Sequence, residues 1–191
     1  MKKYFLLVSV MMLLLGMLLT GCEQDKKGDQ IVWKEYATEY YSLKYPAGWN
    51  IFNEDECASF SNVFFTPKEV AKTTEEILEV FFGVTFVIEK GPEFPEEDFY
   101  AEMLIKVEER ERDPESKVIS HGKTIIDGKP AYRIESQIIP DPAIESSFEA
   151  KLVEISLYNI YNIAELYFLA KTDQYDTNIG IANEMFKSFK W

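Results

Sequence analysis

Residues 117–139 read KVISHGKTIIDGKPAYRIESQII. Two runs rich in Val, Ile, Tyr and Thr, 117–126 and 131–139, flank Asp127-Gly128. Both residues of that pair tolerate the left-handed backbone that a tight β-turn requires, so the stretch predicts a hairpin. Working outward, residues 148–161 and 164–170 are further β-prone runs, with Asn162 between them marking a second hairpin. Upstream, residues 31–36, 41–45, 57–65 and 80–88 are strand candidates, the last being Val, Phe and Ile almost throughout. Pro46-Ala47-Gly48 breaks the chain before Trp49.

Two segments repeat with a helical period. In 95–112, Phe99, Tyr100, Met103, Leu104 and Val107 recur at spacings of one, three and four, while Glu102, Lys106, Glu109 and Arg110 fall opposite. Asp113-Pro114 ends this helix. In 173–189, Tyr175, Ile179, Ala182, Phe186 and Phe189 form one stripe, Asp173 is placed to cap, and Lys187 and Lys190 suit the C-terminal end. Thr66-Pro67-Lys68-Glu69 looks like a third, shorter helix start: a capping Thr, Pro at the first position, Glu closing a capping box. Hairpin signals outnumber crossover signals. The pattern therefore predicts an α+β fold, a mostly antiparallel sheet with amphipathic helices burying their faces on it.

The chain has 191 residues, 33 acidic against 20 basic, and a net charge of −13. That length suits one ordinary domain. The acidity argues against nucleic-acid binding, which needs a basic stripe. With 47% apolar and 15% aromatic residues, the composition is not that of a disordered chain. Two cysteines exclude a disulfide-dense scaffold, and a single histidine excludes the common His-rich metal centres.

The first residues carry an address. Met1-Lys2-Lys3 is followed by an uncharged run, 4–19, rich in Leu and Met, which ends Leu19-Thr20-Gly21-Cys22. Small residues before a cleavage point let the chain enter a protease extended, and the Cys22 thiol after it can accept a lipid thioether. The arrangement resembles the bacterial lipoprotein signal, whose lipobox is Leu, a small residue, Gly or Ala, then Cys. The expectation is a signal peptide over 1–21, a lipidated flexible tether over 22–30 and a folded domain over 31–191. Cys22 would then be the acylated, palmitate-bearing anchor residue on the extracytoplasmic face of the cell membrane. Losing residues 1–21 removes Lys2 and Lys3 and no acid, leaving a chain two charges more negative.

Three further stretches point to a family. These are Tyr41-Ser42-Leu43-Lys44-Tyr45-Pro46-Ala47-Gly48-Trp49, Asp127-Gly128-Lys129-Pro130-Ala131-Tyr132, and Met185-Phe186-Lys187-Ser188-Phe189-Lys190-Trp191. In this order and separation they resemble the PsbP-like proteins, over about residues 31–191. That group spans a photosystem II extrinsic subunit, a fungal Ran-binding import factor and many bacterial lipoproteins. The resemblance implies an α/β/α sandwich and a role in binding other proteins. Nothing in the sequence points to photosynthesis, so no photosystem role or metal site is carried over.

Other chemistry weighs less. Cys57 reads as a small buried residue; as a nucleophile it would need His121, the only imidazole, whose neighbour Gly122 puts it near a loop. Glu54-Asp55-Glu56 and Glu93, Glu96, Glu97, Asp98 could offer oxygen ligands but match no calcium-loop pattern, and read as a solvated loop and a helix N-terminus. Trp33, Tyr36, Tyr40, Tyr41, Tyr45 and Trp49 read as core, with a binding surface the alternative. No Gly-x-Ser-x-Gly elbow, His-Glu-x-x-His, phosphate loop or dinucleotide fingerprint occurs. The expectation is a non-enzymatic, lipid-anchored binding or accessory protein. It would have no cofactor, no catalytic residue and no metal site; its partners would be the membrane, through lipid on Cys22, and an unidentified protein. The alternative is a lipoprotein that binds a small ligand or divalent cation.

Overall fold

In the computed structural model, residues 31–57, 60–67, 79–88, 95–140, 148–159 and 162–191 are described. Strands β6 (Ser116–Ile126) and β7 (Lys129–Ile138) form the hairpin read above. Asp127 and Gly128 both take positive φ, 49° and 71°, as the turn demands. β8 (Ala150–Asn159) pairs with β7, and β9 (Asn162–Lys171) with β8. β9 then pairs with β5 (Val80–Ile88), which continues through β4 (Phe60–Pro67) to β3 (Trp49–Cys57). The result is a seven-stranded antiparallel sheet in the order β3-β4-β5-β9-β8-β7-β6. β1 (Trp33–Ala37) and β2 (Ser42–Pro46) make a separate two-stranded sheet.

The period-2 alternation of the strands gives the large sheet two faces, and each takes one helix. Helix α2 (Thr172–Ser188) covers the face bearing Val63, Phe82, Val153, Ile155, Leu166 and Phe168 with its buried Tyr175, Ala182, Met185 and Phe186. Helix α1 (Glu96–Arg112) places Phe99, Met103 and Val107 against Tyr132, Ile134 and Tyr158 on the opposite face. This is the antiparallel α/β/α sandwich expected from the sequence. The β1–β2 sheet joins the α2 side: Ser42 and Lys190 exchange both backbone hydrogen bonds, and Tyr41 stacks on Phe189 with centroids 5.5 Å apart.

Several local expectations are corrected. Thr66 and Pro67 are the last described residues of strand β4, and the helix expected to follow them lies outside the described residues. Thr66 pairs with Asn50 of β3, and its buried hydroxyl donates to the Val80 carbonyl at 2.9 Å. Trp49 opens a strand that runs on to Cys57, with an irregularity between Phe52 and Asp55, so Glu54-Asp55-Glu56 belongs to β3 and not to a loop. Asn162 opens β9 instead of separating two strands. Lys171, not Asp173, occupies the N-cap of α2; Asp173 sits in the first turn, where it still complements the helix dipole. His121 and Gly122 lie within β6, because the hairpin register carries the strand through them. Leu104, expected on the inner stripe of α1, is 50% exposed.

Candidate functional site

Polar side chains concentrate where α1 crosses the sheet. One helical turn separates Met103 from Lys106 and Val107, and another brings Arg110 to the same side. Below them, β8 presents Glu154, Ser156 and Tyr158 on alternate positions, and the β8–β9 register sets Glu154 opposite Tyr167 and Ser156 opposite Glu165. Lys106 Nζ lies 2.8 Å from Glu165 Oε1 and 3.4 Å from Glu154 Oε1. Arg110 Nη2 lies 2.5 Å from Glu154 Oε2, a close charge contact without hydrogen-bond alignment. Lys106 and Arg110, expected on the solvent side, are therefore turned inward. Glu154 is only 8% exposed, and in so dry a place a carboxylate needs both cations.

Burial works to lower the Lys106 pKa, but Glu154 and then Glu165 outweigh it and hold the ammonium above its ordinary value. Tyr167, raised by burial and then by Glu165 and Glu154, keeps its proton well beyond the usual tyrosine range. Its ring lies over Gly83, where a Cβ would come within 2.5 Å of ring carbons. Two cations, two carboxylates and a neutral phenol thus balance, and the cluster clamps α1 to the sheet.

Beside the clamp, His121 Nδ1 lies 2.7 Å from the Tyr132 hydroxyl, and Lys123 Nζ sits 3.6 Å above the Tyr100 ring. His121 stands on β6 and Cys57 on β3, the two outer strands of the sheet. Six strand spacings of about 4.8 Å separate them, so they form no thiol–imidazole pair. A shallow cleft of about 270 Å³ opens elsewhere, between β1–β2 and α2, lined by Trp33, Lys44, Glu184, Lys187 and Ser188. Ser188 Oγ accepts the Lys44 backbone N–H at 2.8 Å and closes one side of it.

The other expected sites divide clearly. Leu19, Thr20, Gly21, Cys22 and Glu93 lie outside the described residues. Glu96, Glu97 and Asp98 occupy the first turn of α1, as expected for carboxylates at the positive end of a helix. Among the described residues no group of three or more His, Cys, Asp or Glu converges as metal ligands. Of the aromatic group, Tyr41 and Trp49 are buried, while Tyr36 and Tyr45 pack on Phe65 and Tyr40 stacks on Phe86. They are core. Sequence reasoning missed the clamp, although Glu154 and Glu165 sat as acids inside apolar strand runs.

No protein-family model and no curated protein sequence matches the chain. Solved structures do. The chain is similar to the cyanobacterial PsbP protein CyanoP of Synechocystis sp. PCC 6803, at 17% identity over 83% of this chain and 91% of that one, with a TM-score of 0.53. LpqN of Mycobacterium tuberculosis, described as involved in cell envelope biogenesis, aligns at 12% identity over 86% of each chain, with a TM-score of 0.50. A Bacteroides thetaiotaomicron structure aligns at 12% identity and a TM-score of 0.55; the chain covers 47% of its length. At these identities the likeness is one of fold, and the fold is the PsbP-like α+β sandwich.

Proposed function

We propose that this chain is a lipid-anchored, extracytoplasmic accessory protein that acts by binding another protein at the cell envelope. The observation that carries the reading is Leu19-Thr20-Gly21-Cys22 at the end of a 16-residue uncharged run behind Lys2 and Lys3. Transfer of a diacylglyceryl group to the Cys22 thiol as a thioether, with cleavage before Cys22, would fix residues 22–30 as a tether. Fully extended, nine residues reach about 30 Å. Each buried acyl methylene contributes about 0.8 kcal/mol, so two or three chains hold the protein stably where one would not.

Two observations support a binding role for the domain over 31–191. Its fold is shared with CyanoP and with an envelope protein, LpqN. Its one histidine is engaged with Tyr132, and its most buried charges are spent on holding α1 to the sheet. Near anionic headgroups the acidic domain is repelled, which orients it outward on its tether.

The test is metabolic labelling with radioactive palmitate. The wild type incorporates label and is processed; Cys22→Ala gives an unlabelled, unprocessed precursor. Label that survives the substitution overturns the anchor. Crosslinking of the anchored protein in its own membrane then captures the partner, and recovery of no protein species argues against the binding role.

A further inference from the structure

Strand β6 forms one edge of the seven-stranded sheet. An edge strand presents unpaired backbone N–H and C=O groups to any extended chain. Lysines and bulges commonly guard such edges. Here the register shift falls between Val118 and Ser120, and from Ser120 to Ile126 the pairing with β7 runs without interruption. That stretch is about 24 Å long at roughly 3.4 Å per residue. It is flanked and crossed by apolar side chains in the open: Ile119 is 49% and Ile125 71% exposed.

Its charge is opposite to that of the molecule. β6 carries Lys117, His121 and Lys123 and no carboxylate, in a chain of net charge −13. A cleft of about 270 Å³ lies on this edge, lined by Ser120, His121, Gly122, Lys123, Thr124 and Arg133. Ser120, Gly122 and Thr124 share one sheet face, and the register sets Arg133 directly opposite Gly122. No atom stands within 4 Å of where a Gly122 Cβ would be, so the glycine forms an open floor between two hydroxyls and a guanidinium. Arg133 Nη2 lies 3.5 Å from Glu135, and Glu135 also accepts the Tyr175 hydroxyl at 3.0 Å.

We propose that the β6 edge binds an extended acidic segment of a protein partner by strand addition, with a carboxylate of that segment seated over Gly122. Backbone ladder bonds to Ser120–Ile126 would supply affinity, and Arg133 with the Ser120 and Thr124 hydroxyls would select the acid. The inference rests on the proposed binding role and names the surface and the chemistry it reads. A flat anionic bilayer meets the repulsion of the whole acidic domain, whereas a peptide strand touches only its basic edge. A second copy could offer its acidic edge strand β3, but that contact is heterologous and would build a ring or a filament instead of a simple pair.

The test uses the full chain in detergent micelles and a fluorescent heptapeptide alternating Glu and Val, with a Gln-for-Glu control. The Glu peptide is expected to bind more tightly at low salt and to slow amide exchange within 120–126. Gly122→Val fills the cleft with a residue that suits a strand, so the melting temperature holds or rises while binding falls about tenfold or more. Arg133→Gln is expected to weaken binding similarly. Equal binding of the Gln peptide, exchange protection elsewhere, or undiminished binding by Gly122→Val overturns the proposal. So do self-association, or binding to anionic vesicles, that Gly122→Val abolishes, since the occupant would then be a second copy or lipid. A protein captured through photocrosslinkers on α2 and not through those on β6 overturns this site and leaves the anchored binding role standing.

Discussion

Against α2 the sheet presents a broad apolar surface, with Val63, Phe82, Val84, Phe168 and Ala170 all at 0% exposure, and Glu135 meets the Tyr175 hydroxyl at its margin. Against α1 it presents a small patch of Tyr132, Ile134 and Tyr158 beside Glu154 and Glu165. The first face gains stability from area removed from water and from close packing, neither of which depends on direction. The second depends on four charges in one arrangement, which fixes where α1 lies more than how firmly it is held. The sheet therefore has a stabilising side and a positioning side, and the seat at Gly122 and Arg133 on the β6 edge opens on the α2 face, away from the helix that the charges position.

The largest expected effect breaks the stabilising side. Phe168→Ala removes a fully buried ring between α2 and the sheet and should cost about 4 kcal/mol. Chemical denaturation measures it; a loss below 1 kcal/mol would mean that α2 is not packed as described. On the positioning side, Glu154→Gln strands Arg110 and half of the Lys106 pairing, and should cost about 3 kcal/mol. The double variant Glu154→Leu with Arg110→Leu should cost less than Glu154→Gln alone, because no unpaired charge is left. If the double variant is the worse of the two, the clamp stabilises the protein and does not merely orient it.

Alkaline pH should loosen the positioning side next. Lys106 and Tyr167 have pKa values raised above 10.5 and 10.0, so the folded state holds their protons more tightly than the unfolded chain does. Their contribution is complete below those ordinary values and is lost as pH rises through the raised ones. Tyr167→Phe should flatten the fall in stability between pH 10 and 11 by about 1 kcal/mol. An unchanged slope in that variant would show that Tyr167 does not titrate between the two states. On the α2 side Tyr175, raised by burial and by its bond to Glu135, offers the same measurement.

Features that depend on neighbours in sequence were legible. Asp127-Gly128 declared its turn because few other pairs accept two positive φ angles, and β5 declared itself by a run of Val, Phe and Ile that ends before Gly91-Pro92. Features that depend on neighbours in space were not. Lys106 and Arg110 look like solvent-facing helix residues until the β8–β9 register places Glu154 and Glu165 beneath them. Thr66 followed by Pro67 has the local chemistry of a helix start, and its place in the sheet shows only once β3 brings Asn50 and Trp49 opposite the two residues. The signal that could have revealed the clamp was Glu154 between Val153 and Ile155: an acid in an apolar strand run requires a cation from another element. The edge cleft was hidden for a related reason, since Gly122 and Arg133 become neighbours only once the hairpin register is known.

The smallest effect comes from the same helix, on its outer side. Arg112 Nη2 meets Glu108 Oε2 at 2.9 Å, closer than Lys106 meets Glu154, yet both partners are mostly in water, at 74% and 62% side-chain exposure. Water and salt screen that attraction, and holding two long side chains together costs entropy. Arg112→Gln should therefore change stability by about 0.5 kcal/mol or less, and the change should vanish in high salt. The contrast with Glu154→Gln sets an exposed pair against a buried one, because each joins an α1 cation to a carboxylate, Glu108 on the helix itself and Glu154 on β8. A cost at Arg112 comparable to that at Glu154 would mean that proximity alone governs these pairs, and the distinction between an orienting inner cluster and an idle outer one would fail.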